Sequence, residues 1–151
     1  MGAAYFYHLT QSTLDTALHK LLPRALGAGW KVEIRGTELD RLKQLDGRLW
    51  EGPVDGFLAH GIAGQDTDPY QPILLSVGSS GQPCGCIMTI DGADISAEEV
   101  NVSDRVCVMF DGSDDRALKQ ARVQWKTLTD AGCSAQYWSE ASGIWEKKAE
   151  K

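Results

Sequence analysis

Several features that would assign a function directly are absent from this 151-residue sequence. The first apolar stretch leads into Thr10-Gln11-Ser12-Thr13, so the glycines of a dinucleotide-binding turn, G-x-G-x-x-G, are missing. The sequence also contains no phosphate-binding motif of the form G-x-x-x-x-G-K-[ST]. The sequence therefore lacks the phosphate-binding loop of both common types of nucleotide-binding enzyme.

Long apolar runs and an excess of basic residues are missing as well. No run approaches the roughly 18 apolar residues of a membrane span, and no basic segment at the N-terminus precedes an apolar one. We therefore expect a cytoplasmic protein that does not contact a membrane. The net charge of −6 and the pI near 5.0 argue against a protein that holds duplex DNA through its own phosphate contacts.

Cysteine is scarce and poorly spaced for a metal site. The four cysteines include one close pair, Cys84 and Cys86, whose C-x-C spacing is not the C-x-x-C of a structural zinc site. Adding His60, Cys107 or Cys133 would complete a ligand set, but no second paired spacing supports one. Without export the thiols stay reduced, and Cys107, inside an apolar run, fits a small buried residue. We predict neither a metal nor a cofactor.

Short apolar runs alternate with amphipathic stretches along the chain. They predict strands at residues 3–9, 30–35, 73–77, 86–90, 106–110 and 134–138. One helix is predicted to begin at a Ser12 cap, and a second covers residues 39–49. We expect Pro23 to kink or end the first helix, and residues 61–71 to form an exposed loop. This β-α-β-α opening implies a parallel sheet with right-handed crossovers.

The pattern as a whole predicts a three-layer α/β domain, with a mostly parallel sheet of about five to seven strands and helices on both faces. The topology is nucleotide-binding-like, without a phosphate-binding loop. We place a single domain at residues 1–138 and expect the polar segment 139–151 to fray, except around Ile144 and Trp145. The sequence has no internal repeat and no low-complexity segment.

The last third of the sequence carries the most information. After the strand at 106–110, Asp111 or Ser113 can cap a helix that ends near Gly132. At about 100° per residue, one stripe of this helix is apolar and should pack on the sheet: Ala117, Leu118, Ala121, Trp125 and Leu128. The stripe beside it is basic: Arg116, Lys119, Arg122 and Lys126, with Val123 among them. An acidic protein thus concentrates four cations along one helix edge, although a solvated helix face would produce the same pattern.

FDGSD at 110–114, LKQARVQWKTLTDAG at 118–132 and YW at 137–138 together resemble the C-terminal region of the chi subunit of bacterial DNA polymerase III holoenzyme. FYHL, LLPRALGAGWKVEIR, LDGRLW, FLAHG and QPILL fall in the family's order, so the resemblance covers most of the chain. It implies a non-catalytic accessory subunit of the clamp loader, within a nucleotidyltransferase complex that replicates DNA.

In that family, this region binds the C-terminal tail of the single-stranded-DNA-binding protein, which is acidic and ends in phenylalanine with a free carboxylate. The resemblance places Arg122 and Lys126 on the family's basic positions and Trp125, which we expect to be partly core, on its aromatic position. Lys119 and Arg116 extend the basic surface. Candidate walls of a phenylalanine pocket are Val108, Phe110, Val123 and Tyr137. The resemblance also implies a psi subunit as partner to the clamp-loader ATPases, and contact with DNA mainly through other proteins.

Two alternatives stay open at this point. A small α/β hydrolase or nucleotide-handling enzyme would use His60 with an unidentified nucleophile, although the missing glycine loops count against it. In FLAHG, His60 matches a Phe-x-x-His pattern of the family and also fits a polar residue that closes the end of a strand. A structural or signalling domain would carry the basic stripe only as a solvated face.

Overall fold

The structure of the chain, a computed structural model, describes residues 2–50, 60–82, 84–140, 142 and 144–151. Within these residues, eight strands form one sheet: β1 (Ala3–Leu9), β2 (Val32–Gly36), β3 (His60–Ile62), β4 (Ile73–Val77), β5 (Cys86–Thr89), β6 (Arg105–Asp111), β7 (Ser134–Ser139) and β8 (Glu146–Glu150). The helices are α1 (Leu14–Gly27), α2 (Leu39–Trp50), α3 (Ala97–Val102) and α4 (Asp115–Asp130), with a short 3-10 helix at Asp68–Tyr70. The predicted three-layer α/β fold is confirmed.

The strands lie in the order β3-β4-β2-β5-β6-β1-β7-β8, and every neighbouring pair is parallel except β7 and β8. β1 therefore lies between β6 and β7, and Phe6 stands opposite both Val108 and Tyr137. This order brings the start of the chain next to the two strands that flank α4.

The sheet separates two apolar cores, because successive residues of a strand point to opposite faces. One core includes α1 and α2, with Leu18 and Leu42 among its buried residues. The other includes α3 and α4, with Phe6, Val108 and Leu128. The helix predicted in the last third of the chain thus packs on the opposite face from α1.

The predicted cap of α1 is wrong, and of the two effects predicted for Pro23, a kink or an end, the end is wrong. The cap is Thr13, whose hydroxyl accepts a hydrogen bond from the Thr16 backbone N–H at 3.2 Å, whereas Ser12 binds a carboxylate described below. Pro23 does not end the helix, which continues to Gly27. Leu22 and Ala25 lie on either side of Pro23 and are buried, so tertiary packing keeps this segment helical.

The two edge strands were not predicted. Gly61 and Ile62, expected in an exposed loop, belong to β3, while the neighbouring apolar residues 57–59 lie outside the described residues. Residues 146–150, expected to fray, form β8 and pair with β7, with Glu150 opposite Gln136. The sequence of β8, EKKAE, does not alternate between apolar and polar residues, so it gives no signal of a strand. The strand forms because its backbone hydrogen-bonds to β7.

Candidate functional site

α4 begins at a cap that the sequence left ambiguous. The Asp114 carboxylate accepts hydrogen bonds from the backbone N–H groups of Arg116 and Ala117 at 2.9 and 3.4 Å. The predicted caps, Asp111 and Ser113, instead bind each other: the Asp111 carboxylate accepts from the Ser113 backbone and hydroxyl, and these bonds lower the pKa of Asp111. Asp111 is still part of β6, so the helix begins three residues later than a cap at Asp111 would require, and Asp114 caps it.

The apolar stripe of α4 packs on the sheet as predicted. Ala121 and Leu128 are buried, and Trp125 is half-buried with its ring 5.3 Å from that of Phe6, centroid to centroid. The helix ends at Asp130, and Gly132 follows in the left-handed region at φ +89°. The predicted glycine stop is therefore confirmed, because a residue with Cβ is strained in that conformation.

The basic stripe lies on the solvent side of α4, and its four cations are exposed. Lys126 forms an ion pair with Asp130, with Nζ 2.9 Å from Oδ2 and both side chains more than half exposed. Around Arg116, Lys119 and Arg122, no carboxylate of the described residues comes within ion-pair distance. An exposed ion pair stabilises little, so all four cations are accessible to an anionic partner.

A cluster of aromatic rings lies beneath the middle of this stripe. The Tyr137 ring on β7 packs against Trp125, Phe110 and His8, at centroid distances of 6.1, 6.0 and 5.9 Å. Its hydroxyl is hydrogen-bonded to His8 Nδ1 at 2.7 Å. Burial raises the pKa of Tyr137, and the nearby positive charge of Arg122 opposes that rise. Arg122 therefore stands close to the rim of the aromatic cluster.

The proposed pocket walls differ in accessibility. Val108 and Phe110 are buried and support the cluster from the sheet. Val123 is 64% exposed on α4, and Trp125 and Tyr137 are half-buried. The half-buried rings on the Arg122 side are those of Trp125, one helical turn from Arg122, and Tyr137. Val123 is only two residues from Trp125, so it points to a different side of α4 and is not part of the same surface.

His8 is a member of this site that the sequence did not reveal. It comes from β1, about 130 residues before Tyr137 in the chain, and reaches the site because β1 lies between β6 and β7. Gly112 gives its ring room, since a Cβ on Gly112 would stand 1.8 Å from His8 Nε2. This contact explains the glycine of FDGSD. The only sequence signal was the period of two in β1, which puts His8 on the same face as Phe6.

A crevice of about 640 Å³ opens beside the site, at the carboxyl ends of β1 and β6. β1 continues to α1 on one face and β6 continues to α4 on the other, which is the topological switch point where doubly wound folds bind ligands. Here the backbone N–H groups of Thr10, Gln11 and Ser12 all donate to one oxygen of Glu140, at 3.0, 2.9 and 2.6 Å. The Ser12 hydroxyl donates to the other oxygen at 2.8 Å.

Glu140 thus occupies the anion-binding backbone groups that a phosphate would need at this position. The crevice is lined by three carboxylates, Asp91, Asp111 and Asp114, and by two cations, Arg41 and Arg116, of which Arg41 is paired with Asp91. The occupation of the backbone N–H groups by Glu140 counts against a nucleotide-handling enzyme that uses this crevice.

His60 lies on β3, at the opposite edge of the sheet from β7 and β8, whereas Cys133 is buried in the same core as Phe110. His60 Nε2 is 3.1 Å from both the backbone oxygen and a carboxylate oxygen of Asp46, so the histidine ties β3 to α2. Burial, followed by the charge of Glu33, raises the pKa of Cys84 to about 11, which disfavours the nucleophilic thiolate. In the described part of the chain, no three His, Cys, Asp or Glu residues are grouped to hold a metal ion. None of the helices described is long and apolar enough to cross a membrane.

The family comparison confirms the resemblance drawn from the C-terminal motifs. Residues 1–136 match the family model described as DNA polymerase III chi subunit, HolC. The match includes the whole of α4 and the start of β7. A search of curated proteins gave no match. The chain belongs to the family of the chi subunit, an accessory subunit of DNA polymerase III.

Proposed function

We propose that this protein is a non-catalytic subunit that binds the acidic C-terminal tail of the single-stranded-DNA-binding protein through α4. It would thereby link the DNA polymerase III holoenzyme to coated single-stranded DNA during lagging-strand synthesis. The observation that carries the proposal is the position of Arg122. This arginine has no carboxylate partner among the described residues, lies one helical turn from the half-buried Trp125, and is close enough for its charge to act on Tyr137.

The end of the tail fits this arrangement chemically. A guanidinium group binds a terminal carboxylate with two parallel hydrogen bonds, which assigns the carboxylate to Arg122. The phenylalanine ring would then pack against the accessible parts of Trp125 and Tyr137. Aromatic residues in such partly desolvated pockets commonly dominate binding energy.

The acidic residues upstream would follow the basic stripe. Arg116 and Arg122 are six residues apart, which corresponds to about 9 Å along a helix, or about three residues of extended peptide. Lys119 lies between them and Lys126 lies beyond Arg122, so charge extends in both directions along the helix. Exposed charges of this kind act mainly on association and weaken with salt.

As the family resemblance implies, we also propose that a psi subunit joins this protein to the clamp-loader ATPases. We further propose that the protein contacts DNA mainly through these partners, in the cytoplasm. No surface of the described residues is assigned to the psi contact.

A fluorescence anisotropy titration tests the tail site. The probe is a labelled acidic peptide that ends in Asp-Phe with a free carboxylate. Hydrogen bonds to charged groups contribute about 1.5–3 kcal/mol, so Arg122→Ala should weaken binding by about ten- to 150-fold. Lys43→Ala, an exposed cation on α2, is the matched control and should leave affinity unchanged. An Arg122→Ala variant that binds like the wild type would remove α4 as the site.

The same assay separates the contribution of the phenylalanine from that of the acidic residues. Deleting the terminal phenylalanine should cost roughly 2 kcal/mol or more if its ring is the centre of the interface. A negligible loss would place the binding energy in the acidic stretch. No binding of any peptide by the folded wild type would leave the basic stripe as a solvated helix face.

A further inference from the structure

A second surface lies on the opposite face of the sheet from α4, and it does not depend on the proposed tail site. A cavity of about 520 Å³ opens between α1 and the strands β1, β6 and β7, and Trp145, just before β8, also lines it. We call it the α1 groove, and its side chains of interest are three rings and three cations: Tyr7, Trp138, Trp145, Lys20, Arg24 and Arg105. None of the residues that line it is acidic.

The aromatic residues of the groove form a partly open wall. The Tyr7 and Trp145 rings meet edge to face with centroids 5.5 Å apart, and both Trp138 and Trp145 are half-buried. The pairing of β8 with β7 positions Trp145, since Glu146 stands opposite Ser139. Trp145, which was excepted from the fraying expected of residues 139–151, therefore contributes a ring to a cavity.

The cations of the groove are available for an anionic ligand. Lys20 and Arg24 are four residues apart on α1, hence on one helix face, and both are exposed. Arg105 lies over the Tyr5 ring, with Cζ 4.2 Å from its centroid. For these three cations, the described residues supply no carboxylate within ion-pair distance. In a chain of net charge −6, this is a locally positive surface.

The groove continues past Arg105 into a second cavity of about 250 Å³. The two cavities share Tyr7, Leu21, Arg24 and Arg105, and the second one ends at Trp30. Trp30 also faces the Arg105 guanidinium, with Cζ 5.2 Å from its ring centroid. Three of the chain's five tryptophans therefore lie along one elongated depression, which suits an extended ligand better than a compact one.

Partly accessible rings interleaved with cations are the chemistry that proteins use for single-stranded nucleic acid. Bases stack on the rings irrespective of sequence, and phosphates lie against lysine and arginine. An acidic peptide with a single terminal aromatic residue would use the cations but occupy only one of the rings that line the two cavities. We propose that the α1 groove binds a single strand of DNA or RNA, with bases on Trp138 and Trp145 and the backbone along Lys20 and Arg24.

The test is an anisotropy titration of the full chain with labelled oligo-dT and oligo-U of about ten nucleotides at low salt. Both should bind, since stacking and phosphate contacts are common to the two; oligo-dT alone would assign the groove to DNA, and oligo-U alone to RNA. The double variant Lys20→Glu/Arg24→Glu should weaken binding at least tenfold. Its substitutions are on the exposed side of α1, so the fold is retained, and a thermal melt checks this.

Trp145→Ala reports on stacking. Alanine substitution of a stacking ring costs about 1–3 kcal/mol per base, which is about a five- to 150-fold loss of affinity. Lys43→Glu, on α2 and outside the groove, is the matched charge control and should leave affinity unchanged. Absence of binding by the wild type would overturn the proposal.

Two further outcomes would also overturn it. Binding that Lys43→Glu weakens as much as Lys20→Glu/Arg24→Glu would mean diffuse attraction to the whole surface. Equal competition by polyglutamate, with Trp145→Ala unchanged, would mean that the groove takes an acidic protein segment instead of a nucleic acid.

Discussion

The two faces of β1 use the same kinds of residue in different ways. Toward α4, Phe6 is fully buried and His8 packs against Phe110 and Tyr137, while the cations stand outside on the helix. Toward α1, Tyr7 lines a cavity, and cations lie among the rings that surround it. A closed aromatic cluster with a charged rim suits the capture of one terminal residue. An open groove of rings and cations suits a strand that passes through it.

Helix placement explains the difference. α4 packs on β6 and β7, the two neighbours of β1, so it closes over that face. α1 packs on α2 and β2, at the other side of the sheet, and leaves the surface of β7 and β8 uncovered by a helix. The space between α1 and these strands therefore stays open as a cavity.

The largest expected effect is on the free energy of unfolding, and it compares the fully buried ring of Phe6 with the half-buried ring of Trp145. Phe6→Ala should lower the free energy of unfolding by about 3–5 kcal/mol, because it empties a filled site in the core. Trp145→Ala should cost only about 1–2 kcal/mol, because the ring is half-exposed to begin with. Urea denaturation of the two variants and the wild type measures both. Equal losses would show that the groove is as tightly packed as the cluster.

Glu140 holds the carboxyl ends of β7 and β1 together, at the junction of the two faces. Burial raises the pKa of Glu140, but the hydrogen bonds from Ser12, Thr10 and Gln11 together lower it by more, so the net change is downward. The stabilisation is therefore complete above the unfolded pKa of about 4.3 and is lost as the pH falls through the folded pKa. Glu140→Gln should cost about 1.5–3 kcal/mol at pH 7.

The pH series makes this prediction specific. The stability difference between wild type and Glu140→Gln should shrink as the pH is lowered below about 4. Glu150→Gln removes an exposed carboxylate of β8 and serves as control, with little effect at pH 7. A Glu140→Gln difference that stays constant down to about pH 2 would be inconsistent with a carboxylate held by these hydrogen bonds.

Reciprocal charge reversals test whether the two surfaces are separate. Arg122→Glu should weaken the acidic peptide by about tenfold or more and leave the oligonucleotide nearly unchanged. Arg24→Glu should weaken the oligonucleotide and leave the acidic peptide nearly unchanged, because the sheet lies between the two side chains. Both ligands are titrated into both variants at one salt concentration. Loss of both ligands in either variant would indicate one shared electrostatic surface.

The smallest expected effect concerns Lys126. Its ion pair with Asp130 competes with a peptide for the same ammonium group. Asp130→Asn should strengthen peptide binding by only about 1.5- to twofold, since an i,i+4 pair contributes about 0.2–0.5 kcal/mol. Asp40→Asn, an exposed change on α2, controls for net charge. Weaker binding of Asp130→Asn would mean that Asp130 positions Lys126 instead of competing for it.

The central strands and the faces of α4 were predictable because their residues carry periodic patterns. β1, β4 and β6 follow runs of apolar residues, and the alternation of Leu128 and Ala121 with cations fixes which side of α4 is buried. β8 has no such pattern. Its strand conformation depends on the free edge of β7, which is a property of the folded sheet.

The helix caps show the same limit on a smaller scale. Ser12 and Thr13, or Asp111, Ser113 and Asp114, are all suitable cap residues, and the sequence does not rank them. Ser12 is hydrogen-bonded to Glu140, and Asp111 is the last residue of β6 and binds Ser113. The helices are therefore capped by Thr13 and Asp114.

By itself the sequence determined the alternation of strands and helices, the amphipathic character of α4, its basic stripe and the family. Each of these depends on neighbours in the chain or on one helix period. The tertiary structure decided the order of the strands, and with it the position of β1 between β6 and β7. That position brings His8 to Tyr137 and Trp145 to Tyr7, contacts between residues more than 120 positions apart. Such contacts follow from the pairing of whole strands, which no local pattern encodes.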